Sequence, residues 1–135
     1  MSIVSTSRKP VPELRSLAKD FAFAAGCLYI VRGKMGLPDI DAIDPALLIF
    51  SQVKGELYSL QLSSHGSPVA AFLIPAVTVT RREGPLVAGI VVGDPSIYER
   101  LKPYIAVKLS EACREGTCVF DGTRSRRYLL SLEYP

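Results

Sequence analysis

Leu14, Leu17, Ala18, Phe21 and Ala25 recur at the spacing of one helical face, and two short runs flank the stretch, a β-prone one at residues 3–5 and an apolar one at 27–31. Pro12 suits the first helical position, Glu13 the positive end of the helix dipole, and Gly26 the helix end. Arg15, Lys19 and Asp20 fall off the apolar face. Arg32-Gly33-Lys34 stops the second run. Strand, helix and strand in that order predict a parallel β-α-β unit, whose two strands end at the same edge of a sheet. That opening commits the chain to an α/β fold.

The middle of the chain changes period. Residues 37–43 have little periodicity and read as a loop or a short helix. Residues 46–50 are continuously apolar, as in a strand buried on both faces. Lys54-Gly55 predicts a tight turn into residues 56–63, where Tyr58, Leu60 and Leu62 alternate with polar residues. A turn at His65-Gly66-Ser67-Pro68 leads into a strand over 69–80. Pro75 interrupts that strand and places it at an edge or a bulge. These strands form a β-meander. Beyond it come a strand over 86–92 and a helix start at Asp94-Pro95. Helical spacing links Ile97, Leu101, Tyr104, Ile105, Leu109 and Ala112, with Pro103 marking a kink or the start of a second helix. Strands follow at 118–120 and 127–134. Gly26-Cys27-Leu28-Tyr29-Ile30 and Gly116-Thr117-Cys118-Val119-Phe120 echo one another. The expectation is one compact domain over 1–135, built of two similar β-α-β-containing halves, about 1–80 and 86–135, with the meander between.

At 135 residues the chain can bury a core without disulfides or metals, and no apolar run reaches the roughly 18 residues of a membrane helix. With no signal-like N-terminus, the sequence reads as cytoplasmic. The net charge of +3 is uneven. Residues 1–36 carry six cations against Glu13 and Asp20, whereas 37–60 carry Asp39, Asp41, Asp44 and Glu56 against Lys54. Arg124, Arg126 and Arg127 cluster near the end. Such clusters favour a polyanion partner more than the total charge does. The chain contains no Asn, and its only Gln residues are Gln52 and Gln61, a depletion in keeping with a thermophilic source. Cys27, Cys113 and Cys118 lack the spacing of a zinc site and read as reduced thiols, with a Cys113–Cys118 disulfide the alternative in a thermophile.

Catalysis finds little to stand on. His65 is the single histidine and falls in a turn, and no phosphate-cradling Gly-rich motif occurs. Asp39, Asp41 and Asp44 could face a divalent ion, but Ile40, Ala42 and Ile43 between them fit a short surface helix better. The chain reads as a non-enzyme with no cofactor, no metal and no small-molecule substrate.

Ser5-Thr6-Ser7-Arg8-Lys9-Pro10, then Arg15-Ser16-Leu17-Ala18-Lys19-Asp20, then Arg32-Gly33-Lys34 resemble the opening of Brix-domain ribosome-biogenesis proteins, above all the archaeal Imp-four-like members. Arg126-Arg127-Tyr128-Leu129-Leu130-Ser131-Leu132 is similar to the closing strand of that family. Val31 stands where the family has Asn, and Ser125-Arg126 where it has Gly-Pro. The resemblance implies paired halves like anticodon-binding domains and a non-enzymatic RNA-binding role in pre-rRNA processing and subunit assembly. It implies pre-rRNA as partner, with ribosome-assembly proteins as further partners. The alternative is a protein-interaction module within a ribonucleoprotein assembly complex. The candidate RNA contacts are Thr6, Ser7, Arg8, Lys9, Arg15, Lys19, Arg32, Lys34, Arg124, Arg126 and Arg127. Hydroxyls, N–H groups and a guanidinium at residues 5–8 can hold a phosphate or cap the helix. Tyr128 could stack on a base, but alternation with Leu130 and Leu132 favours the core.

Overall fold

The computed structural model describes residues 2–31 and 46–135. Arg32, Lys34, the expected loop or helix at 37–43, and Asp39, Asp41 and Asp44 lie outside the described residues.

Strand β1 (Ile3–Thr6) leads into helix α1 (Pro12–Ala25) and strand β2 (Leu28–Tyr29). Pro12 occupies the first turn of α1, and Gly26 closes it in the left-handed conformation at φ 72, which costs glycine little. β1 pairs in parallel with β2 on one side and with β3 (Ala46–Lys54) on the other. The meander continues antiparallel through β4 (Leu57–Ser64) and β5 (Ser67–Ile74). The first sheet therefore has the order β2-β1-β3-β4-β5.

Pro75 and Ala76 carry the chain out of this sheet. The next strand, β6 (Val77–Arg81), pairs with β10 (Arg126–Ser131) in a second sheet. A proline at the crossing needs no ladder N–H. β5 and β6 are edge strands of their respective sheets, as Pro75 led one to expect. The second sheet runs β6-β10-β9-β7-β8, with β7 (Ile90–Val92), β8 (Val107–Leu109) and β9 (Thr117–Asp121).

Helix α2 (Pro95–Leu101) stops well short of the helical pattern read through Ala112. Pro103 ends it, and the chain neither kinks nor starts a second helix. Val107–Leu109 instead forms β8, parallel to β7. β7-α2-β8 is thus a second β-α-β unit. The topological counterpart of β2 is β8, so the Gly-Cys echo matched β2 with the wrong strand. Both β2 and β7 are shorter than the apolar runs that predicted them, and β10 ends at Ser131, with Glu133 bridging to Leu73.

Helix α1 lies between the two sheets. The ring of Phe21 packs edge-on against Phe50 of the first sheet, 5.2 Å between centroids, and against Phe120 of the second at 5.4 Å. One hydrophobic cluster takes in residues of both sheets and the helix. With two surfaces to cover, α1 buries eight of its 14 residues, an arc wider than one stripe. Asp20, expected off the apolar face, is therefore buried, at 1% exposure.

Its carboxylate is fully engaged. Oδ1 accepts from the Thr123 backbone N–H at 3.0 Å and from the Thr123 hydroxyl at 2.7 Å. Oδ2 accepts from the Tyr128 hydroxyl and pairs with Arg126 Nη2 at 2.9 Å. Gly122 makes room for the approach, since a Cβ there would stand 2.5 Å from Asp20 Cγ. Asp20→Ala would leave the Tyr128 hydroxyl and the Arg126 guanidinium unpaired. It should cost about 3 kcal/mol of stability, read from urea unfolding. Asp20→Asn keeps acceptor oxygen and should cost less; equal losses would contradict this account of the cluster.

Candidate nucleic-acid interface

The segment after β1 divides its polar groups between the interior and the surface. The Ser5 hydroxyl donates to the Ile30 carbonyl at 2.6 Å and fastens β1 to the edge strand. Thr6 is buried, and burial pushes the pKa of the Tyr29 phenol upward, with the Thr6 side chain opposing the shift. Ser7 is half-buried and its N–H donates to Phe50 O at 2.9 Å, one last rung beside β3. The chain then turns over at Lys9, φ 54, with Arg8 and Lys9 both exposed. Arg15 and Lys19 follow on the outer face of α1, and Lys19 Nζ stands 5.8 Å from the centroid of the Tyr29 ring. Arg8, Lys9, Arg15 and Lys19 thus share the start and outer face of one helix. Because β1 and β2 are parallel, Ser7 and Val31 leave the sheet at the same edge, as the opening predicted.

The C-terminal cluster is split by its partners. Arg127 grips Asp121 with two bonds, Nε to Oδ1 at 2.7 Å and Nη2 to Oδ2 at 3.1 Å, while Arg126 is held by Asp20. Each of the two arginines keeps about a third of its side chain exposed. Tyr128 is in the core, stacked on Phe120, and burial together with the Asp20 bond raises its pKa. Arg124 stands exposed at the tip of the hairpin. Arg124 and Ser125 both have positive φ, 56 and 57, the two-residue turn that suits hairpin twist. Ser125, which replaces the expected Gly, thus sits in a conformation glycine adopts most easily. The hairpin tip is fastened to α1 through Thr123 and Asp20, one residue along the helix from Lys19. The N-terminal and C-terminal cations therefore flank one helix.

Strand pairing also recruits two arginines that the sequence reading passed over. Arg81 lies opposite Arg126 in the β6–β10 register, and the Arg82 N–H donates to Ser125 O at 2.6 Å. The signal was the Arg81-Arg82 pair closing an alternating run, but its neighbour becomes known only with the register.

A groove of about 770 Å³ opens between the first turn of α1, the β3–β4 turn and the crossing at Pro75. Val11, Tyr58 and Val79 line it together with Glu13, Glu56 and Arg126. Burial first, then these two carboxylates, raise the Tyr58 phenol pKa. A phosphate chain would meet two carboxylates there against one guanidinium. His65 is exposed at the β4–β5 turn. Cys27, Cys113 and Cys118 form no disulfide, and Cys118 is buried, which pushes its pKa up. Among the described residues no group of three or more His, Cys, Asp or Glu converges as a metal site would require. No described helix is long and apolar enough to cross a membrane.

No family model matches the chain. Over 66 residues it is 38% identical to a protein of Archaeoglobus fulgidus named as a probable Brix domain-containing ribosomal biogenesis protein. Over 128 residues it is 28% identical to a protein of the same name from Methanococcoides burtonii. The chain resembles archaeal Brix-domain proteins. The first alignment covers 49% of this chain and 43% of the relative, so it spans less than half of that protein's length; the second covers 88% and 77%. The fold agrees with that of Mil, described as an archaeal Imp4-like protein, at a TM-score of 0.64 and 18% identity over 98% of this chain and 99% of that one. It also agrees with a probable ribosomal biogenesis protein from Aeropyrum pernix, at 0.65 and 19% over 98% and 95%. The Brix likeness named from the Thr-Ser-Arg-Lys-Pro, Ala-Lys-Asp and Arg-Gly-Lys series thus holds in sequence and in fold.

The Arg127 bonds, with a further one from the Val87 N–H at 2.8 Å, hold the Asp121 carboxyl below the ordinary carboxylate range. Its folded pKa is lower than its unfolded one. The stabilisation is therefore complete above about pH 4, the unfolded value, and is lost as pH falls through the folded value. Arg127→Gln should lower the urea midpoint at pH 7 and flatten its fall below about pH 4; pH profiles that stay parallel to wild type would contradict this.

Proposed function

We propose that this chain is a non-enzymatic RNA-binding factor of ribosome biogenesis that assists pre-rRNA processing and subunit assembly. The observation that carries the proposal is the set of exposed cations on and around α1. Arg8, Lys9, Arg15 and Lys19 stand on one side, and Arg124 and Arg81 stand at the adjoining hairpin. The helix's own acids do not oppose them, because Asp20 is buried and Glu13 lines the groove. The names of the archaeal relatives supply the setting.

In this reading the cations hold phosphates, which fixes position and orientation on the RNA, and the chain breaks no bond. Ser7 and its neighbours at the β1–α1 turn extend the same surface, and Arg32 and Lys34 are further RNA contacts in this reading. Arg126 and Arg127 contribute through the part of each side chain left to solvent, while buried Thr6 acts through its neighbour Tyr29. The groove favours a second reading, a protein-interaction module within a ribonucleoprotein assembly complex. Its apolar walls and two carboxylates suit a partner segment carrying lysine or arginine.

Binding to pre-rRNA fragments, against tRNA and a scrambled control, tests the first reading when titrated with salt. The slope of log affinity against log salt should be roughly −0.7 per phosphate held on single strands. Arg8→Gln combined with Arg15→Gln should weaken binding and make that slope shallower by about 1.4. Unchanged affinity and slope would remove the surface from the account, and no binding by wild type at low salt would shift the function to the groove.

A further inference from the structure

We infer that the outer face of α1 is a stacking platform for unpaired nucleotides, with Phe23 as its aromatic surface and Lys19 and Arg15 as its phosphate clamps. This deepens the RNA-binding reading and rests on it.

Arg15, Lys19 and Phe23 follow at four-residue intervals, so they form one line along the exposed side of the helix. Phe23 is 51% exposed, although the same helix buries Phe21 almost completely. A lone exposed apolar residue needs no explanation. This one ends a row of two cations, the second of which has an aromatic beside it. Lys19 Nζ sits 5.8 Å from the centroid of Tyr29. The cation–π contact keeps the ammonium near the helix surface.

The charge of the face selects its occupant. Neither carboxylate of α1 lies on it, since Glu13 lines the groove and Asp20 is buried against the second sheet. Two cations and an open ring, with no acid between, match a strand that offers phosphates and bases together. Such grooves hold single-stranded nucleic acid by tracking the backbone with positive charge and stacking bases on aromatic rings. A duplex offers the same phosphates but keeps its bases inside the stack. The platform therefore distinguishes unpaired from paired RNA, without reading a particular base.

The chain has no tryptophan, so Phe23→Trp places a single indole on this face. Titration with a short unstructured oligoribonucleotide should quench its fluorescence in a saturable manner. A duplex of equal phosphate content, or an abasic single strand, should leave it nearly unchanged. Phe23→Ala should weaken binding to the unstructured strand about tenfold and leave binding to the abasic strand and the salt slope as in wild type. Circular dichroism melts of both variants establish that they fold.

Equal quenching by duplex and single strand would overturn the platform. So would wild-type affinity in Phe23→Ala, and in both cases the RNA-binding reading would survive. If Phe23→Ala keeps its RNA affinity but loses binding to ribosomal proteins, the face belongs to a protein partner and the inference fails. Absence of any RNA binding by wild type at low salt would overturn the platform and the reading beneath it together.

Discussion

The carboxylate of Asp20 is the interaction on which the arrangement depends. It sits on a helix that packs against the first sheet, and its four bonds go to the β9–β10 hairpin of the second. Hydrophobic contact brings α1 against both sheets but is non-directional. The four bonds from Thr123, Tyr128 and Arg126 give direction, because a carboxylate with its oxygens satisfied tolerates few shifts. A buried charge left half-paired would cost several kcal/mol. Close approach is also built into the backbone, since Gly122 leaves no side chain where Asp20 must lie.

The same cluster decides which cations face solvent. Of the arginines at the β9–β10 hairpin, Arg126 answers Asp20 and Arg127 answers Asp121, so both spend much of their hydrogen-bonding capacity on the fold. Arg124 is lifted clear at the tip, beside the helix that carries Arg15 and Lys19. The β6–β10 pairing places Arg81 directly across from Arg126, an arrangement of like charges that is unfavourable unless an anion compensates it. Asp20 thus neutralises one arginine, and it joins the N-terminal and C-terminal cations around one helix.

Local chemistry was legible in the sequence and long-range partnership was not. Pro12 and Gly26 mark the ends of α1 because a first-turn proline and a left-handed glycine act within one turn of the chain. The meander was legible for the same reason, through Gly55 and Gly66 at its turns. Asp20 falls off the apolar face of the sequence pattern yet is buried, because a helix wheel assumes one apolar surface and this helix has two. Residues 107–109 were misread as helical because a helical spacing of Ile105, Leu109 and Ala112 persisted by coincidence past Pro103, whereas the parallel partner β7 that makes them a strand lies fifteen or more residues away. The site behaved likewise. Arg8, Lys9, Arg15 and Lys19 could be read from their turn and helix face, but only the register revealed Arg81 beside Arg126, and only Asp121 and Asp20 revealed that Arg127 and Arg126 are already held.

The central claim is that the surface around α1, from the turn after β1 to the hairpin pinned by Asp20, receives RNA. Ultraviolet crosslinking of the intact chain to a bound pre-rRNA fragment, with the linked peptides mapped by mass spectrometry, tests it most directly. The account predicts crosslinks within residues 7–23 and 123–127, on both sides of the Asp20 tie. Crosslinks confined to the acidic groove, around Tyr58 and residues 75–79, would contradict it.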